Sequence, residues 1–201
     1  RIRNLLVAAL RTEFDLEQAN GQSGSSADFR VTGRGSAGGL ALIEGGRLPE
    51  DEIDWSLDMV VPGRGQIALN TFHVKGAAHQ FEAAGRIDPS DLGGFLDATL
   101  RVADMKTLGT LVGMELRGSA SLDVHVDGNS RTRSASVRVG ENVRSARTGI
   151  QPLDALLSDQ TVLNGSADLR DGKDLTLSSL DVKSSSFQLT AEGGMDLPAG
   201  Q

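Results

Sequence analysis

The stretch that decides the fold is LTLSSLDVKSSSFQLTAEGGMDL, Leu175 to Leu197. In its second half Phe187, Leu189, Ala191, Gly193, Met195 and Leu197 alternate with Gln188, Thr190, Glu192, Gly194 and Asp196. Successive side chains of a strand point to opposite faces, so this period of two describes a strand with one apolar and one polar face. The first half slips once. Leu175 and Leu177 share one parity, Leu180 and Val182 the other. A one-residue slip turns every later side chain over, so a bulge or tight corner is expected at Ser178–Ser179. Ser184–Ser186, small and polar, reads as the hairpin turn between the halves.

The same pattern stands 108 positions earlier in IALNTFHVKGAAHQFEAAGRID, Ile67 to Asp88. Without a gap, Ile67 falls on Leu175, Leu69 on Leu177, Phe72 on Leu180, Val74 on Val182 and Lys75 on Lys183. Phe81 falls on Leu189, Ala83 on Ala191, Gly85 on Gly193 and Asp88 on Asp196. The parity slip recurs at Asn70–Thr71 and the turn at Gly76–Ala78. Related segments therefore span about 55–89 and 165–197. A unit with one greasy face cannot bury it alone, so repeats share a core.

Other short stretches follow the strand rule: Asp28–Gly33, Asp54–Val61, Asp97–Asp104, Ser119–Gly128, Ser134–Gly140 and Gly165–Gly172. Helical signals are brief, at Met105–Gly113 and at Pro152–Asp159, where Pro suits a first helical turn. Ile2–Arg11 reads as a helix, although its Val and Leu residues also suit a strand. The expected fold is mainly β: an elongated, curled antiparallel sheet, an open β-groove or taco-like array with a few short helices. All of residues 1–201 belong to this one array, read as a fragment of a longer protein because the first residue is Arg.

Composition narrows the function. Aromatic residues make up only 3 %, too few for the usual compact sandwich or barrel of 201 residues. A formal charge of -7 argues against nucleic acid, whose binding needs dense positive charge. The chain has no cysteine, so disulfides and thiol chemistry are ruled out. The longest apolar run, Leu5–Leu10, is too short to span a bilayer as a helix.

No motif carries catalysis, and none calls for a cofactor. GRGSAG, Gly33–Gly38, matches G-x-G-x-x-G, but glycines and Pro49 interrupt every helix that could follow, so it reads as a glycine-rich strand connection. His73 and His125 fall on the polar phase and read as solvated. His79 is in phase with Phe81 at an apolar rim. None has metal-ligand spacing. Asp127-Gly128 and Asp171-Gly172 lack the calcium-loop pattern and read as hairpin turns. The acidic run Pro49–Asp54 reads as a solvated loop.

Three stretches carry a family resemblance. They are the cadence of Asp97–Gly128, the run Gly149–Leu197, and the opening Ala27–Gly39. In style of repeat the chain resembles the AsmA-like family of large envelope proteins. The resemblance is greatest to the C-terminal part of the inner-membrane subunit of the translocation and assembly module. It implies a long curled sheet with an apolar concave face in the bacterial periplasm, anchored to the inner membrane through a segment absent from this fragment. It also implies phospholipid transport between inner and outer membranes, outer-membrane protein assembly, and an Omp85-class outer-membrane barrel (TamA-like) as partner of the full-length protein. It implies no catalytic residues.

The groove would carry phospholipid acyl chains. Its candidate residues in the first segment are Ile67, Leu69, Phe81, Ala83 and Ile87. In the second they are Leu175, Leu177, Phe187, Leu189, Ala191 and Met195. Inward apolar alternation fits a closed core equally well. The alternative is therefore a surface adhesin or β-solenoid passenger domain, which would need parallel coils of short period.

Overall fold

A computed structural model describes residues 5–6, 9–19, 28–39, 41–42, 52–106, 109, 115–156 and 160–197. The strands are β1 (Leu5–Leu6), β2 (Ala9–Ala19), β3 (Asp28–Gly38), β4 (Ala41–Leu42), β5 (Glu52–Val61), β6 (Ile67–Lys75) and β7 (His79–Asp88). They continue with β8 (Gly93–Val102), β9 (Arg117–Asn129), β10 (Ser134–Arg147), β11 (Gln160–Arg170), β12 (Asp174–Ser184) and β13 (Gln188–Asp196). One short helix, α1 (Gln151–Leu156), precedes β11.

Eleven strands form one sheet in the order β13-β12-β11-β10-β9-β8-β7-β6-β5-β3-β2, and β1 pairs separately with β4. Every ladder is antiparallel. Strands of the large sheet make their substantial contacts with hydrogen-bonded neighbours alone, and β2 and β13 end it. The sheet is therefore open, neither a barrel nor a sandwich. Eleven strands at about 4.8 Å spacing make it roughly 50 Å wide.

The sequence repeat is a structural repeat. Each partner pair of β5 with β6 and of β6 with β7 recurs, 108 residues on, between β11, β12 and β13. Trp55 opposite Val74 becomes Leu163 opposite Val182, and Phe72 opposite Ala83 becomes Leu180 opposite Ala191. The register breaks at the expected places. Two residues, Asn70–Thr71 or Ser178–Ser179, stand where the neighbouring strand has one. The bulge absorbs the parity slip, so Ile67, Leu69, Phe72 and Val74 stay on one face. Even the turns agree, with Gly76 N–H donating to the His79 carbonyl and Ser184 N–H to that of Phe187, at 2.8 and 2.9 Å.

Four readings need correction. The helix expected over Ile2–Arg11 is absent at the described positions 5, 6 and 9–11, which are strand. Leu10, Phe14 and Leu16 lie on one face of β2, and Arg11, Glu13, Asp15 and Glu17 on the other, so its period is two. Gly33–Gly38 is no connection but the second half of β3. Asp127-Gly128 is no turn: β9 runs through it, and the turn follows at residues 130–133 with Arg133 at φ 51°. Glu52–Asp54, expected in a loop, open β5, while 49–51 fall outside the described residues.

The remaining signals hold where described. Asp171 and Gly172 turn with φ of 52° and 68°, as Asp-Gly hairpins require. Pro152 sits in the first turn of α1, and residues 157–159 lie outside the described set. Asp154 ties the incoming chain to this turn: its Oδ1 accepts from the Thr148 N–H and hydroxyl at 2.5 and 2.9 Å. Between β8 and β9, Gly109 N–H donates to the Met105 carbonyl with the i to i+4 spacing of a helix, and 107–108 and 110–113 fall outside the described residues.

Candidate functional site

Partners directly opposite in a ladder share a face, so the registers trace the two faces of the sheet. One face carries a continuous row, Leu69–Gly85–Leu96–Val126–Val137–Ala167–Leu177–Gly193, across eight strands from β6 to β13. A parallel row runs Val74–Phe81–Leu100–Leu122. Toward β2 the face continues through Trp55, Leu57, Val31 and Phe14. Polar residues on it are few, among them His79, Glu141 and Thr161. Among the described residues no second layer covers this face, and the fully buried apolar side chains are those of Ala83, Val102 and Ala146, while Leu10, Phe14, Leu16, Ile87, Leu96, Leu189 and Met195 are exposed.

Glycines set the curvature. A Cβ at Gly94 would stand 2.9 Å from the Cα of Ile87, its opposite residue. In an ordinary antiparallel pair even the two Cβ atoms are about 4.5–5.5 Å apart. Gly85 is equally tight, its Cβ falling 3.1 Å from the Cα of Leu96. The backbones of β7 and β8 thus crease toward the apolar face, and only glycine tolerates the approach. At Gly35 a Cβ would meet the Trp55 indole at 2.6 Å, so the missing side chain makes room for the ring. Phe14 packs beside that indole, with ring centroids 5.5 Å apart.

The crease opens into a recess of about 440 Å³ lined by Met59, Ile67, Leu69, Ile87, Leu92 and Leu96, with Gly85, Gly94 and Gly128 giving it depth. Sequence-predicted residues divide between this recess and the far edge. Ile67, Leu69 and Ile87 line the recess. Phe81 and Ala83 share its face further along β7, with Phe81 edge-on to Phe72 at 6.1 Å. Leu175, Leu177, Leu189, Ala191 and Met195 share the same face on β12 and β13. Phe187 stands half-buried in the turn before β13. Met59, Leu92, Leu96 and Val126 went unread. The alternation in β8 signals Leu96, but Leu92 sits in a turn at φ 52° and has no periodic signal.

The opposite face is polar and laced across strands. Arg30 donates to both oxygens of Asp58 at 3.0 and 2.8 Å, and Arg34 donates to Glu13 at 2.8 Å. The Arg30 hydrogen bond holds the Asp58 carboxyl below its ordinary range, and the same contact raises the guanidinium. The Asp154 carboxyl is also held low, chiefly by the Thr148 N–H. His125 Nδ1 lies 2.5 Å from Asp97, and its ring stacks on Phe95 at 6.2 Å. His73 is on this face too, 3.9 Å from Glu82. Among the described residues no group of three or more His, Cys, Asp or Glu could hold a metal ion. No helix is long and apolar enough to cross a membrane among them.

In comparisons with known families, curated proteins and solved structures, nothing matches the chain.

Proposed function

We propose that this chain is a stretch of a TamB-like protein of the AsmA-like family: a non-enzymatic periplasmic scaffold whose apolar face carries phospholipid acyl chains between the inner and outer membranes, supports outer-membrane protein assembly, or both. One observation carries the reading. The sheet presents an apolar face across eleven strands, and none of the described residues forms a layer that covers it. Exposing a sixteen-carbon acyl chain to water costs on the order of ten kcal/mol, at ~0.8 kcal/mol per methylene, so a carrier needs an unbroken greasy track. The polar face, bearing its charges in cross-strand pairs, suits contact with water. Inner-membrane anchoring and an Omp85-class partner belong to the full-length protein in this reading. A surface adhesin or β-solenoid passenger needs parallel coils around a closed core, and the antiparallel ladders favour the open scaffold instead.

Substitution on the track tests the reading. Ala191 is half-buried, whereas Ala83 is 8 % exposed and would penalise any carboxylate through burial alone. Ala191→Asp is expected to melt within a few degrees of the parent and to capture several-fold less phospholipid, measured by photo-crosslinking from neighbouring positions. Unchanged capture by the folded variant would refute the track.

A further inference from the structure

The turn between β7 and β8 puts an apolar side chain where the backbone disfavours one. Leu92 stands there at φ 52°, in the left-handed region that glycine and asparagine enter at least cost. Of the described non-glycine residues at positive φ, Leu92, Arg133, Ser145 and Asp171, it alone is apolar. Its side chain is 60 % exposed, so its own burial offsets little of the strain. The turn is nonetheless fixed. The Asp91 carboxylate accepts from the Gly93 N–H at 2.7 Å and from Asn129 Nδ2 at 3.1 Å, and the Asp91 carbonyl accepts from the Ser130 N–H at 3.0 Å. Strained residues persist where their surroundings over-determine them, and they cluster at ligand clamps. Leu92 stands at the recess with Ile87 and Leu96, which are also exposed.

The dimensions of the recess limit what it can hold. It reaches from Met59 on β5 to Val126 on β9, four ladder spacings of about 4.8 Å, or roughly 19 Å. A volume of about 440 Å³ over that length leaves a mean cross-section of roughly 23 Å², about 5 Å across. An α-helix, about 10 Å across with its side chains, is too broad to enter. An extended peptide would bury backbone N–H and C=O groups without partners, because every strand from β5 to β9 is already paired on both sides. A hydrocarbon chain has no such groups. In a bilayer core about 30 Å thick the chains of one leaflet reach about 15 Å, so the recess is long enough for one of them. Arg86 and Asp127 also border it, but the ladders put both on the polar phase of their strands. We infer that the recess is a saturable seat for one lipid acyl chain and that Leu92 is the clamp over it. This rests on the lipid-carrying reading proposed above and adds a fixed stop to the track.

The test uses a palmitoyl lysophospholipid with a diazirine in its acyl chain, kept below its micelle concentration. At limiting lipid, crosslinks in the parent should fall on β5–β9 and Leu92 before they reach β11–β13, and should saturate there at one lipid per chain. Leu92→Gly suits the backbone of the turn, so it should melt at or above the parent temperature. It should also bind the lysophospholipid about tenfold more weakly in calorimetry, because the leucyl contact with the chain is gone, and leave crosslinking to β11–β13 unchanged. Crosslinks spread evenly from β5 to β13 would overturn the seat and leave the track standing. A Leu92→Gly that binds like the parent would overturn the clamp. Absence of crosslinks on every strand would overturn the seat and the lipid-carrying reading together. Should Leu92→Gly lose stability and affinity at once, the parent's crosslink map decides the seat and Leu92→Met the clamp: affinity kept with methionine supports it, and affinity lost overturns it.

Discussion

Gly85 and Gly193 occupy equivalent positions and face different demands. Gly85→Ala drives a methyl against the β8 backbone at the crease, an overpacking that costs about 1–3 kcal/mol. Gly94→Ala meets the same obstacle from the β7 backbone and is expected in the same range. Gly193→Ala should stay within about 0.5 kcal/mol of the parent in urea unfolding, so the equivalent pair forms its own control. On the polar face, Asp58 gives a pH signature. Its carboxyl is held low by Arg30, so its stabilisation is present above the ordinary carboxylate value, about 3.9, and is lost as pH falls through the lowered folded value. Paired melts of the parent and Asp58→Asn should therefore differ slightly at pH 7, with the parent the more stable, and converge at strongly acid pH. The effect is small because both partners are partly exposed.

Strands were legible where alternation was clean and hidden where one residue interrupted it. The bulges in β6 and β12 were readable because each leaves two apolar pairs out of phase, Leu175 and Leu177 against Leu180 and Val182. Ile2–Arg11, which overlaps β2 only at residues 9–11, reads as a helix because its apolar positions suit one, although the charges at Arg11, Glu13, Asp15 and Glu17 already keep a strand's period. Asp127-Gly128 has turn chemistry, yet the ladder from β9 to β10 continues through it. The recess was the least legible feature. Gly85, Gly94 and Gly128 lie on three strands, and only the register aligns them. The bulge itself can be tested. Deleting Ser178 leaves one residue opposite one in the ladders to both β11 and β13, so Leu175, Leu177, Leu180 and Val182 stay on the apolar face without a bulge. The variant is therefore expected to fold, and urea denaturation should show none of the roughly 2–3 kcal/mol loss that turning two half-buried apolar side chains to the polar face would bring.

At the scale of the whole molecule, area is the informative quantity. A compact monomer of 21.1 kDa exposes about 9,000 Å², while this chain exposes 13280 Å². A sheet whose described residues add no second layer contributes to that surplus. Any apolar ligand that binds the folded sheet but not the unfolded chain should stabilise it, by about 2.7 kcal/mol at a hundredfold excess over Kd. A short-chain phospholipid below its micelle concentration is therefore expected to raise Tm in proportion to the logarithm of its concentration, and a flat Tm would show that the face does not take up lipid. The same single layer has a mechanical consequence. Among the described residues every strand of the large sheet is tied to its hydrogen-bonded neighbours and to no distant strand, so a pull applied across the strands loads the ladders in series. Stretched from β2 and β13, the chain should unzip strand by strand through a staircase of small ruptures, and the two copies, β5–β7 and β11–β13, should yield matching steps.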